Sequence, residues 1–394
     1  MPRDGQTPPN CYDAEPIPEA ARAEIERLLA TGDLFRYTSE NAPVAKLEAE
    51  FAELMGVRYA VCVASCSAAL FLSLKALDLP RGARVLVPAF TFAAVPSAIV
   101  HADCEPVLVE VGSNFRIDLD DFRAKFDDTI AAVMISHMRG HTSDMDVILE
   151  LAEAKGVPVI EDAAHSLGTL WHGRKIGTIG KIGCFSFQSY KMVNAGEGGV
   201  LVTDDPELAA RAIIMSGAYE QNWKKHPGLQ NSFVHWQNKL PLYNTRMQNL
   251  SAAVIRPQLP ELERRVSAGL ANHDYVAEKL NESPWLDVPP PLGPETRAPD
   301  SLQFNLVGDW ADAEAIRLQD EAKARGVSVQ VFGLSPDNAR AFWNWQFLGE
   351  QPDLPKTRAM LMRACDTRLP ARLTRPELDF IASAIIEAAA AVKG

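Results

Sequence analysis

Lys191 closes the run Gly183-Cys184-Phe185-Ser186-Phe187-Gln188-Ser189-Tyr190-Lys191, and the glycine cluster Gly196-Glu197-Gly198-Gly199 follows it. Upstream, Val159-Ile160 leads into Glu161-Asp162-Ala163-Ala164-His165. An amine and a carboxylate, each following a strand-like apolar run, could address the two ends of one flat, phosphorylated aldehyde. Pyridoxal phosphate is such a cofactor. It needs an amine for its aldehyde, an acid for its ring nitrogen, a phosphate cradle and something to hold the ring flat.

Lys191 is the candidate amine, since a desolvated or electropositive site turns an ordinary ammonium into a nucleophile. Asp162 is the candidate acid, placed at the strand edge where open α/β sheets bind their ligands. Its plainer reading is a cap for a helix beginning at Ala163. His165 could stack near the same end or pack in the core. Ser65-Cys66-Ser67, between a strand and a helix, could aim backbone N–H groups at an anion, although any helix N-cap looks similar. The hydroxyls of Ser186 and Ser189 could add to that cradle. In Pro88-Ala89-Phe90-Thr91-Phe92 an aromatic ring could stack on the cofactor, or both phenylalanines could be core.

The elements needed to position these groups are legible in the apolar pattern. Strands are expected at 59–63, 84–88, 106–111, 129–136, 157–161, 182–187 and 200–203, with helices between most of them. Near-continuous apolar strands alternating with helices predict an α/β protein with a mostly parallel seven-stranded sheet covered on both faces. Residues 18–30 and 44–55 have helical periodicity. Residues 219–238 read as a long irregular segment, of the kind that is usually functional or interface-forming. Residues 250–279 read as one long helical stretch, and the remainder as a smaller α+β domain. The expected division is an N-terminal arm at 1–14, a large domain at 15–255 and a small C-terminal domain at 256–394.

Composition narrows the function classes. The 394 residues exceed one compact core. A formal net charge of −12 argues against a nucleic-acid partner, which demands a basic surface. No Lys/Arg block suits an anionic membrane, and no apolar run has the ~18 residues of a transmembrane helix. The first residues lack the apolar region of a signal peptide. The six cysteines are scattered without paired or zinc-like spacing, so reduced thiols, a cytoplasmic setting and no metal are expected.

With these pieces in place, the chain resembles the DegT/StrS-type pyridoxal-phosphate-dependent sugar aminotransferases, of the aspartate aminotransferase superfamily (fold type I). The resemblance runs from about residue 35 to 259, with a looser match at 361–385. It rests on Glu161 to Gly168, Phe185-Ser186-Phe187 through Lys191, Gly196 to Gly199, Val87 to Phe92, and Gly140-His141-Thr142-Ser143-Asp144-Met145-Asp146. It implies Lys191 as Schiff base and proton shuttle, Asp162 on the pyridine nitrogen and Ser186 on the phosphate. It also implies Cys66 and Ser67 in the phosphate cradle, Phe92 over the ring and His165 beside it. It further implies a homodimer with shared active sites, Asn244 and Arg246 reaching the neighbour's cofactor phosphate. The chain departs from the family pattern at Cys66-Ser67 (usually Gly-Thr), Thr245 (usually aromatic), Asn249 (usually acidic) and Gln188 (often histidine).

The expected reaction moves an amino group from glutamate or glutamine to a keto sugar: nucleotide-linked, a keto cyclitol, or a keto-sugar acid. The segments holding Trp343 and Leu34-Phe35-Arg36-Tyr37 resemble a branch acting on a free keto-sugar acid. Arg36, Arg246 and Lys224 are candidates for the donor carboxylate, and Gln188 and Trp343 for further substrate contacts. Two other readings remain open. Sugar dehydratases of the same family carry histidine in place of the lysine, so Lys191 argues against that chemistry. A pyridoxal-phosphate-binding sensor without turnover would not need the complete Asp162, Ser186 and Lys191 set.

Overall fold

A computed structural model describes residues 7–218, 226 and 228–394 of the chain. Its central sheet has seven strands: β1 (Tyr59–Val63), β2 (Arg84–Pro88), β3 (Glu105–Val109), β4 (Ile130–Ser136), β5 (Val159–Asp162), β6 (Ile182–Ser186) and β7 (Gly199–Thr203). Their order is β1-β7-β6-β5-β4-β2-β3. The pairs β2/β3, β2/β4, β4/β5 and β5/β6 are parallel. Strand β7 alone runs the other way, antiparallel to both β6 and β1. Strands β4 to β7 are buried along almost their whole length. That is why they read as unbroken apolar runs rather than as alternation. The six like-directed strands deliver their C-terminal residues to one edge, which brings Val63, Pro88, Ser136, Asp162 and Ser186 to the same side.

A second, antiparallel sheet comprises β8 (Leu286–Asp287), β9 (Ser301–Leu306), β10 (Gln330–Val331) and β11 (Ala364–Arg368), in the order β8-β9-β11-β10. The helices Asp312–Ala324 and Arg375–Lys393 supply much of its apolar core. Phe332, Phe342, Trp345 and Leu361 nevertheless pack into the core of the large sheet. This C-terminal stretch therefore reaches over the sheet edge and carries side chains to the site.

Two helical expectations need correction. Residues 250–279 are not one helix. Asn249–Ile255 gives way to the 3-10 turn Arg256–Glu261 before the helix Leu262–Leu280 resumes. The turn contains Pro257 and Pro260, which lack the N–H that an α-helix interior needs. Within 219–238, read as irregular, Gln230–Trp236 forms a short helix. Phe233 anchors it in the core, and Glu207 accepts from Ser232 and from Trp236 Nε1. Seven residues are too few for periodicity to reveal. Lys224 lies outside the described residues.

Candidate active site

A cavity of about 530 Å³ opens at the C-terminal edge of the parallel strands. Its lining includes Ser65, Cys66, Ser67, Phe92, Asp162, His165, Ser186, Gln188 and Lys191. Nine candidates drawn from four separate segments of the sequence thus meet in one place.

Asp162 ends β5 and is 5% exposed. Its Oδ2 accepts from Ser136 Oγ at 2.7 Å, and Ser136 Oγ in turn accepts from Thr91 Oγ1 at 2.8 Å. Its Oδ1 accepts from the Ala164 N–H at 3.1 Å and lies 3.8 Å from Cys66 Sγ. No helix begins at Ala163; residues 163–169 are turns, so the helix-cap reading fails. The carboxylate is instead fixed by three donors while still facing the cavity. Ser136 was not anticipated, although it pairs directly with Asp162 across β4 and β5. The strand-end rule that selects Asp162 selects Ser136 as well.

Lys191 sits in a bend, its backbone N–H donating to Gln188 O at 2.9 Å. Its Nζ lies 3.1 and 2.8 Å from the two ring nitrogens of His165, against the imidazole. Burial lowers the lysine to about 8. Burial, followed by the charge of Lys191, holds His165 well below its usual range, so the ring is neutral at physiological pH. A neutral ring can neighbour an amine without repelling its protonated form. Ionisation near 8 leaves about a tenth of the amine free at pH 7, against well under a thousandth for an unperturbed lysine. The expected outcome is that cofactor-free protein captures pyridoxal phosphate at a rate rising with pH through a midpoint near 8. Stopped-flow absorbance against pH measures it, and a midpoint near 10.5 would contradict the desolvated amine.

Ser65 caps the helix Cys66–Leu77, its Oγ accepting from the Ala68 N–H at 3.1 Å. The glycine at 199 permits this approach: a Cβ there would lie 2.3 Å from the Ser65 carbonyl carbon. With Ser186, the helix start forms a polar corner suited to an anion. Phe92 is 46% exposed, its side chain lining the cavity, whereas Phe90 is core, packed on Phe332. Of the two ring-clamp candidates, Phe92 is the one whose side chain reaches the cavity. These groups fit a flat phosphorylated cofactor: an amine, an acid, an anion corner and an aromatic face share one cavity of sufficient volume.

Other candidates stay outside. Arg36 is 1% exposed and donates to Cys62 O at 2.9 Å and Ser216 Oγ at 2.6 Å. Its charge serves Glu48, which burial raises to about 7 and which accepts from Tyr37 and the Cys62 N–H. Arg246 donates to Gly217 O at 3.1 Å and lies over the Phe35 ring. Trp343 packs beneath Arg358, 4.4 Å from guanidinium to ring centre. Neither these three nor Asn244 or Ser189 lines the cavity of this chain. Asn249, the departure from an acid, bridges backbone groups: it donates to Asp33 O and Phe35 O and accepts from Val44 N. Arg139, Arg340, Asp366, Arg368 and Tyr12 line the cavity unforeseen, most of them from the C-terminal region or the N-terminal arm.

Among the described residues no helix is long and apolar enough to cross a membrane, and no cluster of His, Cys, Asp or Glu could hold a metal. All six cysteines are free thiols.

Known proteins share this architecture. The chain is 35% identical over 250 residues to the spore coat polysaccharide biosynthesis protein SpsC of Bacillus subtilis (strain 168), covering 63% of this chain and 64% of that one. It is 35% identical over 296 residues to a UDP-N-acetyl-3-dehydro-alpha-D-glucosamine 3-aminotransferase of Acidithiobacillus ferrooxidans, covering 73% and 74%. The match thus spans just under two thirds of SpsC. Among solved structures, S. venezuelae DesV in complex with a ketimine intermediate superposes with a TM-score of 0.80 at 26% identity, over 94% of each chain. Residues 18–386 match the family model of the DegT/DnrJ/EryC1/StrS aminotransferases, and the chain belongs to that family.

Proposed function

We propose that this chain is a pyridoxal-phosphate-dependent aminotransferase that moves an amino group from glutamate or glutamine to a keto sugar. The observation that carries the reading is the cavity that Lys191 and Asp162 share with the Ser65–Ser67 corner and Ser186. Family membership and the aminotransferase among its relatives support it.

Bound there, the cofactor supplies the carbonyl that accepts the amino group and a ring that withdraws electrons from the reacting carbon. The protein's own groups do the rest. The Lys191 amine holds the cofactor and moves a proton at the substrate carbon bearing nitrogen, a contribution of about 10²–10⁴-fold. Asp162 keeps the ring nitrogen protonated. Ser186, Cys66 and Ser67 hold the phosphate, Phe92 covers the ring, and neutral His165 supports it. Asn244 lies off this chain's own cavity, the placement expected of a residue serving a second copy, and this supports a homodimer with shared sites. Six free thiols are in keeping with a cytoplasmic enzyme.

Purified protein is expected to show the visible absorbance of lysine-bound pyridoxal. Glutamate or glutamine should bleach it with release of the matching 2-oxo acid, and a keto sugar should restore it. A colourless protein that takes up no cofactor sinks the reading. Colour that no amino donor bleaches would favour a sensor without turnover.

A further inference from the structure

Arg139 occupies left-handed backbone (φ 56°, ψ 25°), a region that residues with a Cβ seldom adopt. Its side chain is held by a buried chain of hydrogen bonds with only one possible direction. Arg297 Nη1 lies 3.2 Å from His141 Nδ1. A guanidinium only donates, so Nδ1 must be the bare nitrogen. His141 Nε2–H therefore donates to Gln303 Oε1 at 3.0 Å. Gln303 Nε2 donates to Asp366 Oδ1 at 2.7 Å, and Arg139 Nη2 donates to Asp366 Oδ2 at 2.6 Å. Burial and the Arg297 charge keep His141 well below its usual range, in the neutral form this pattern requires. Arg297, His141, Gln303, Asp366 and Arg139 are all at least nine-tenths buried. A strained backbone and a fixed polar relay thus converge on presenting one guanidinium to the cavity.

Beside it stands Arg340. Its guanidinium lies 6.0 Å from the centre of the Phe92 ring and 5.8 Å from that of Phe332. It makes no hydrogen bond or ion pair with any described residue, and its Nε is buried without a partner. Burial and the Arg139 charge lower it to about 10, so it remains protonated at neutral pH. Asp366, the carboxylate whose charge acts on it, is already engaged by Gln303 and Arg139. The cavity therefore holds a largely buried guanidinium that no described residue hydrogen-bonds, next to the aromatic ring read as the cofactor's cover. Buried charges are costly unless paired, and a planar guanidinium fork matches a carboxylate.

We propose that Arg340, backed by Arg139, is a carboxylate subsite used by both substrates, so that the keto acceptor is itself a sugar acid, free or nucleotide-linked. This rests on the aminotransferase reading. In a two-half reaction donor and acceptor occupy the same cavity in turn. A donor amino acid satisfies the cation in the first half; a neutral acceptor would leave it unpaired in the second. Sites built to bond a polar group reject analogues lacking it by about 10⁴–10⁵-fold.

The test uses the holoenzyme and its Arg340→Gln and Arg340→Lys variants. Calorimetry with glutarate, the donor skeleton without its amine, is expected to show about 10–100-fold weaker binding in Arg340→Gln, with partial rescue in Arg340→Lys. Visible absorbance and melting should match the parent protein. Unchanged glutarate affinity overturns the subsite, and inorganic phosphate binding as tightly as glutarate overturns its preference for carboxylate. For the acceptor, the amine-loaded enzyme is mixed with 5-ketogluconate or with fructose. Faster recovery of absorbance with 5-ketogluconate, by about 10²-fold or more, is expected; equal rates overturn the sugar-acid assignment. Colourless parent protein would defeat the cofactor reading instead, which keeps the two failures distinct.

Discussion

Replacing Lys191 with alanine is expected to abolish turnover while the protein still folds and still binds pyridoxal phosphate without a covalent link. The loss should be at least the ~10²–10⁴-fold contributed by positioned acid–base groups, and larger because the cofactor is no longer tethered. The side chain packs into no core cluster; its Nζ touches only the His165 ring and faces the cavity. Truncation therefore leaves no closed apolar void, and the buried Asp162 carboxylate keeps its hydrogen bonds from Ser136 and Ala164, so neither common source of large destabilisation arises in full. Asp162, the Ser65–Ser67 corner and Phe92 remain to hold the cofactor. Borohydride treatment followed by mass spectrometry should fix pyridoxal on the parent protein and not on the variant. Activity equal to the parent's in the variant would refute the role of Lys191.

Much of this site is legible in the sequence because its anchors lie at strand ends. Buried parallel strands announce themselves as apolar runs, and the residue that follows each run is carried to a common edge. Asp162, Ser186 and the Ser65–Ser67 turn were legible for that reason. Arg340 and Arg139 were not. Arg340 lies in a segment with little regular structure, and Arg139 reaches the cavity through a left-handed turn and a relay of partners far apart in sequence. Nothing local encodes such a path. Arg36 erred in the opposite direction. An arginine between aromatic residues looks available to an anion, yet burial commits it to Cys62, Ser216 and the Glu48 network. Burial of a long charged side chain depends on distant segments, which a linear pattern does not contain.

Asp162→Asn is expected to lower kcat/KM by about 10²–10³-fold, the scale seen when one preorganised electrostatic partner is removed. The substitution keeps the shape and withdraws the negative charge proposed to hold the ring nitrogen protonated. It also alters local bonding in a way that can be counted. Asp162 receives Ser136 Oγ–H on Oδ2 and Ala164 N–H on Oδ1. An asparagine can keep its oxygen toward Ala164, but its NH₂ then faces Ser136. The serine hydroxyl can turn to accept, since oxygen has a second lone pair beside the one used by Thr91. Its own proton then loses the carboxylate, a cost of about 1 kcal/mol. Folding should survive that, so a large kinetic effect with a small melting shift is the signature of lost charge. Ser136→Ala separates charge from position. It removes one bond to Asp162 and leaves the carboxylate ionised, so its effect on kcat/KM should be about tenfold or less. If Ser136→Ala proved as damaging as Asp162→Asn, the carboxylate's orientation rather than its charge would govern the reaction, and the assignment of Asp162 to the ring nitrogen would fall.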